Sequence, residues 1–334
     1  MSRKDPVPLI RTAAIAPLLR ELKQAGTLRE LLLRTKLPLD LADRPDEFLP
    51  AHIALHFMAE SANCMDAPAI AFDTVTRAHV DELGKWGSSI AQCYTLRAAL
   101  NRLCFLYPLE ASFLQMGLVE DETHAWLWRR RSLASTESAG ERQGEQFTLG
   151  SLIHVVRLFA GSKWSPSVIR VESRLSESAL HTDAFERSRV EFGGPVLAIS
   201  IARDLLDQRR LRPTSCRRST KRGGAPAAID LVGSLVQALV PIATEVSLTL
   251  DLGAEIAETT PRTLQRWLAQ EGTEWRAVVD RARFEASDRL LSDPSLSLIE
   301  IATMLGYSDH AHFTRAFQRW MGEAPSDYRH RRMN

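Results

Sequence analysis

Two arginines occupy the same local frame at two places in this chain: Arg266 within Leu264-Gln265-Arg266-Trp267-Leu268, and Arg315 within Phe313-Thr314-Arg315-Ala316-Phe317. On a helix, residues four apart share a face. Leu264 with Leu268, and Phe313 with Phe317, therefore point one way while the arginine midway between them points the other. An outward guanidinium is a donor fork suited to guanine O6 and N7 or to a phosphate, so the chemistry on offer is recognition of a nucleic acid. Upstream, Ala254 precedes Thr260 by six residues, and Ala302 precedes Ser308 by six. The repeated unit is a short helix with a small residue toward its partner, a tight turn, a hydroxyl N-cap, and a second helix with an outward arginine. That is a helix-turn-helix, present twice.

The elements that must hold these arginines are helices. Periodicity predicts them at 229–241, 249–257, 261–271, 274–291, 297–305, 309–321 and 325–330, with no strand among them. Thr260 followed by Pro261 is an N-cap followed by the residue best suited to the first helical position. Ser297 with Glu300 forms a capping box, Leu296 can staple onto Ile301, and Ser308-Asp309 starts the next helix. The helix at 274–291 places Trp275, Val279, Ala282, Ala286 and Leu290 on one face, and Asp293-Pro294 stops it. About seventeen residues at 1.5 Å each span roughly 26 Å, against ~34 Å between successive major-groove faces of B-DNA, so a modest bend of the duplex would admit both arginine-bearing helices. The copies differ at one turn position, Glu258 in the first and Gly306 in the second. If that position needs positive φ, Glu costs about 1 kcal/mol or more and loosens the first motif.

The rest of the chain offers little other chemistry. Cys64, Cys93, Cys104 and Cys216 form no CxxC pair, which excludes a zinc cage and a disulfide framework and fits reduced thiols. His52 and His56 lie four apart without a carboxylate or thiol to complete a metal set, so neither a metal nor a cofactor is expected. Trp86, Phe105, Tyr107, Trp126 and Trp128 suit core at least as well as a pocket. The chain's 334 residues imply two domains. No apolar run approaches the ~18 residues of a membrane span, and prolines and Arg11 interrupt any export signal, so a cytoplasmic protein is expected.

Residues 203–222 carry eight basic and two acidic side chains, whereas 228–334 carry eleven arginines and fifteen acids. The Pro, Gly, Ser and Arg of 211–228 mark a basic linker between a domain at 1–210 and one at 229–334. In the front part, Ile53, Phe57 and Met58 give one helical stripe, and Phe147, Ile153, Val156 and Phe159 another. SFLQMGLV and HAWLWRRR, separated by Glu120 to Glu122, read as a hairpin with Trp126 and Trp128 on one face. VIRVES and PVLAISIA read as further strands, so this domain is α+β and the one behind it all-α.

The stretch IEIATMLGYSDHAHFTRAFQRWMGEAPSDYRH resembles the signature segment of AraC/XylS-type transcription regulators, and TTPRTLQRWLAQEG looks like their first recognition helix. The match rests on the Ile-Ala helix, Gly306-Tyr307-Ser308, the Phe-x-Arg-x-Phe core, Gly322, Pro325 and Tyr328-Arg329, and covers about 228–330. More weakly, the front two thirds resembles the arabinose-binding-type sensor domain of one branch.

The resemblance implies a sequence-specific transcription regulator, an activator under small-molecule control. Its partners would be double-stranded promoter DNA, an effector, a second copy of the chain and RNA polymerase. By the same resemblance Arg262, Gln265 and Arg266 fall on base-reading positions of the first motif, and His310, Ala311 and Arg315 on those of the second. Arg and Gln can read guanine and adenine edges and Ala311 can touch a thymine methyl, while Arg319, farther along, meets a phosphate. The alternative is a DNA-targeted repair enzyme such as an alkyltransferase. It needs an activated cysteine in a Pro-Cys-His setting, which none of the four cysteines has.

Overall fold

The hairpin predicted from alternating residues forms the edge of a five-stranded sheet in the front unit. Its strands are β1 (Leu114–Glu120), β2 (His124–Arg131), β3 (Val168–Arg170), β4 (Arg189–Glu191) and β5 (Leu197–Ala202), in spatial order β1-β2-β5-β3-β4. All neighbours are antiparallel except β3 and β4. In this computed structural model, residues 5–132, 138–173, 187–209 and 226–333 are described. Contacts divide the chain into two units, Pro8–Asp46 with Ala51–Ala227, and Ala228–Asn334 with Met1–Val7 and Glu47–Pro50. Most of the basic linker read at 211–228 lies outside the described residues, as does Cys216.

The register pairs Leu127 with Ile199 and Ile169 with Ile199, so one face of the sheet is a continuous buried layer of branched side chains. Trp126 and Trp128 share a face as expected, but it is the half-exposed one. The opposite face of β2 is buried and carries Ala125, Leu127 and, from a run of three arginines, Arg129. Period-two alternation identifies which residues share a face without saying which face is covered.

The described residues of this unit also form the helices α1 (Ala16–Gln24), α2 (Leu28–Arg34), α3 (Ala51–Cys64), α4 (Ile70–Arg77), α5 (Gly84–Ala91), α6 (Leu96–Glu110) and α7 (Ala139–Ala160). The two stripes read from sequence are α3 and α7, with Phe57, Met58, Phe147, Ile153 and Val156 buried. α7 starts from a capping box between Ser138 and Glu141. It packs closely on α4, since a Cβ at Gly150 would lie 2.4 Å from Val75.

The second unit is helical. It comprises α8 (Leu231–Leu239), α9 (Leu250–Ile256), α10 (Pro261–Gln270), α11 (Trp275–Leu291), α12 (Leu298–Met304), α13 (His310–Met321) and α14 (Pro325–Met333), with no strand after 228 among the described residues. Each matches a predicted helix within a few residues. Among the described residues, no helix is long and apolar enough to cross a membrane.

Candidate nucleic-acid interface

The first motif is α9 and α10. Thr249 caps α9 and Thr260 caps α10, each hydroxyl accepting from the backbone N–H three residues on. Ala254 is buried at the contact between the two helices, and Leu264 and Leu268 seat α10 with no exposure. Arg262, Gln265 and Arg266 are all exposed on the opposite side of α10.

The second motif is α12 and α13. The capping box of Ser297 and Glu300 is present, Ala302 is buried as its counterpart Ala254 is, and Phe313 and Phe317 are fully buried. His310, Ala311, Arg315 and Arg319 are exposed. The N-cap of α13 is Asp309, whose carboxylate accepts from His312 N–H at 2.7 Å, and not Ser308, which bonds the His312 ring at 2.6 Å. Counting back from the buried pairs, Thr260 aligns with Asp309, so the second turn is one residue longer than the first. That backbone N–H holds the Asp309 carboxyl below the usual carboxylate range.

The connecting helix α11 fixes both motifs by different means. Toward the first, the Trp275 ring lies against Gly253, where a Cβ would come within 2.2 Å of it, and its indole N–H donates to Leu248 O at 3.1 Å. Toward the second, Phe284 meets Phe317 and Trp320 at ring separations of 5.9 and 5.5 Å. The Arg283 guanidinium lies over Tyr307 at 5.2 Å, and burial pushes the Tyr307 hydroxyl up to about 12. α14 closes this cluster. Tyr328 packs edge-on against Phe317 at 5.3 Å and donates to Asp288 at 2.5 Å, while Arg329 donates to Leu291 O. Gly322, with φ of 73°, ends α13 in the left-handed conformation that turns the chain into α14. Tyr328, Arg329 and Gly322 of the signature segment thus have structural work to do.

Of the seven residues singled out from sequence, Arg315 and Arg319 line one cleft beside α11, together with Arg276, Arg283 and Asp280. Arg262, Gln265, Arg266, His310 and Ala311 do not line it. Arg319 pairs with Asp280 at 3.1 Å and stays largely exposed. Neither Arg276 nor Arg283 was singled out from sequence as a DNA contact, although their seven-residue separation with Asp280 between them puts all three on one face of α11. The cleft therefore has a rim of four guanidinium groups against one carboxylate, the charge balance expected where a phosphate approaches.

Elsewhere, His52 is half-buried and His56 exposed on α3. Among the described cysteines, Cys64 is exposed, and burial raises the thiols of Cys93 and Cys104, the latter to about 11, away from a reactive thiolate.

The family described as the arabinose-binding domain of AraC transcription regulators matches residues 26–209, and a helix-turn-helix domain family matches residues 254–331. An uncharacterised HTH-type transcriptional regulator of Mycobacterium tuberculosis is 27% identical over 290 residues, 81% of each chain. The ornithine utilization regulator of Pseudomonas aeruginosa is 40% identical over 80 residues, 24% of each chain. Among solved structures, the transcriptional regulator CdpR of Pseudomonas aeruginosa aligns with 79% of this chain and 87% of its own, at 18% identity and a TM-score of 0.36. The matched families and the relatives found by sequence are transcription regulators, and the alternative of a repair enzyme with a reactive cysteine falls.

Proposed function

This chain belongs to the AraC transcription regulators with an arabinose-binding-type N-terminal domain, and from that premise we propose how it acts. It is a DNA-binding transcription regulator. Arg262, Gln265 and Arg266 on α10, and His310, Ala311 and Arg315 on α13, face base edges in two successive major-groove segments. Arg319 binds the intervening phosphates. Because α10 and α13 differ in sequence, each chain reads an asymmetric site, and a homodimer reads that site twice. Residues 1–210 form the effector-binding and dimerising part, 211–228 a basic tether and 229–334 the DNA-binding part. The regulator works in the cytoplasm as an activator, meeting RNA polymerase at the promoter. Control by an effector requires a ligand that binds the active arrangement more tightly than the inactive one.

One observation supports this reading most directly: Arg266 and Arg315 are exposed at matching positions of two capped helices joined by a 17-residue helix. The test is selection of bound duplexes from a random pool with the full chain. A bipartite consensus with two elements about one helical turn apart is expected. A single short element, or no enrichment, would overturn the assignment of two readers.

A further inference from the structure

Residues 228–334 carry eleven arginines against fifteen acids, yet four of those arginines meet a single carboxylate, Asp280, around one cleft of about 570 Å³. Arg276 and Arg283 line it from α11, and Arg315 and Arg319 from α13. Elsewhere in this unit Arg281 pairs with Glu285, Arg289 with Glu47, Arg331 with Glu323 and Arg332 with Asp288. Arg319 pairs with Asp280 at 3.1 Å, and Arg329 donates to Leu291 O. Among the described residues, the remaining arginines of the unit make no ion pair. They are Arg262 and Arg266 of α10, Arg315 of α13, and Arg276 and Arg283 of α11. Unpaired guanidinium groups therefore occur on the two reading helices and on one face of the helix that joins them.

Arg283 is fixed in place. Its guanidinium lies over the Tyr307 ring at 5.2 Å, and its Nη2 would be 3.3 Å from a Cβ at Gly306. A guanidinium held by stacking loses little further freedom on binding, and its fork matches two phosphate oxygens. Arg276, two turns earlier on the same face, is exposed. Between two helices in successive major-groove segments on one side of a duplex lies the minor groove, whose walls are sugar and phosphate. The acceptors that face a connecting helix there are phosphate oxygens.

We propose that α11 is a third DNA-contacting element: Arg276 and Arg283 hold a backbone phosphate in this cleft beside α13, and Asp280 competes with phosphate for Arg319. The inference rests on the reading of α10 and α13 as helices in successive major-groove segments, and adds the connecting helix to the contacts. Asp280 is a positioning residue. It holds Arg319 away from the duplex and lowers the sequence-independent part of the affinity, the part carried by phosphate contacts.

The test uses the full chain with a duplex taken from the selected pool and a random-sequence duplex of equal length, titrated between about 50 and 200 mM salt. Over that range each phosphate contact multiplies the loss of affinity by about threefold. Arg276→Gln and Arg283→Gln should each reduce the loss by that factor on both duplexes and leave base preference unchanged. Asp280→Asn should tighten both duplexes about two- to fivefold, a gain that misfolding does not produce, and the gain should shrink in an Arg319→Ala background. Glu285→Gln, which removes a carboxylate from the opposite face of α11, should leave both affinities as they are. If Arg283→Gln does not fold, Arg276→Gln and Asp280→Asn decide the matter. Salt dependence unchanged by Arg276→Gln, an altered base preference, or an Asp280→Asn gain no larger than that of Glu285→Gln overturns the proposal. The two readings separate: a bipartite consensus with unchanged salt dependence keeps α10 and α13 as readers and removes α11. Reduced salt dependence in the arginine variants without a bipartite consensus keeps the α11 contact and removes the paired readers.

Discussion

Glu258 and Gly306 take the same place in the two helix-turn-helix turns, and both have a left-handed backbone, with φ of 48° and 73°. Glycine adopts that conformation freely, whereas a side chain there costs roughly 1–2 kcal/mol. Glu258→Gly should therefore stabilise the helical unit by about 0.5–1 kcal/mol, once the extra freedom glycine gives the unfolded chain is subtracted. Gly306→Ala should destabilise it by about 1 kcal/mol. Calorimetric scans of the full chain measure both, and a neutral or destabilising Glu258→Gly would show that the turn is held by something other than local conformation.

Gly253 sets how closely the first motif approaches α11. A methyl group there would collide with the Trp275 ring, which the hydrogen bond to Leu248 O prevents from swinging away. Gly253→Ala is expected to cost about 1–3 kcal/mol by overpacking. Combining it with Trp275→Leu should recover part of that loss, because the two residues are in contact and their effects couple. Strict additivity in the double-mutant cycle would contradict the contact.

Asp309 links the second motif to pH. Its carboxyl lies below the ordinary 3.8 chiefly because it accepts from the His312 backbone N–H, with the His312 and Arg315 charges acting in the same direction. A depressed folded-state value means that the stabilisation is fully present above the unfolded value and is lost as pH falls through the folded one. Asp309→Asn keeps an N-cap acceptor but removes the titration. Between about pH 6 and pH 3 the unfolding temperature of the wild type should fall further than that of the variant. Parallel curves would remove Asp309 from the acid response.

The helical half was legible because its signals are local. Thr260-Pro261, Ser297 with Glu300 and the four-residue spacing of Leu264 with Leu268 and Phe313 with Phe317 each act within one or two turns, and each is found as read. The displaced cap was missed because Ser308 and Asp309 are both good N-caps, and only the count back from Phe313 separates them. The front half was harder. Helices α1, α2, α4 and α5 have no side-chain N-cap, α6 was not read although Thr95 caps it, and short β4 is defined by pairing with a distant segment, whereas β3 is found within VIRVES as read. Arg129 was unreadable as buried, since a charged residue inside a run of arginines looks solvent-exposed until the sheet face it occupies is covered from elsewhere.

Arg266 and Arg319 should separate base reading from phosphate binding. Arg266 is exposed on α10, and a bidentate contact to guanine is worth about 1–3 kcal/mol of discrimination. Arg266→Ala should therefore weaken the selected site by that amount and relax preference at one position. Arg319 is already paired with Asp280, but an exposed pair is worth only about 0–1 kcal/mol and yields easily to a phosphate. Arg319→Ala should weaken all duplexes alike and reduce the salt slope by about one counterion. Mobility-shift titrations on randomised sites at several salt concentrations read both quantities at once. An Arg266→Ala protein that keeps its base preference, or an Arg319→Ala protein that changes it, would reverse the two assignments, since a guanidinium reading a base must lose sequence discrimination and one holding a phosphate must not.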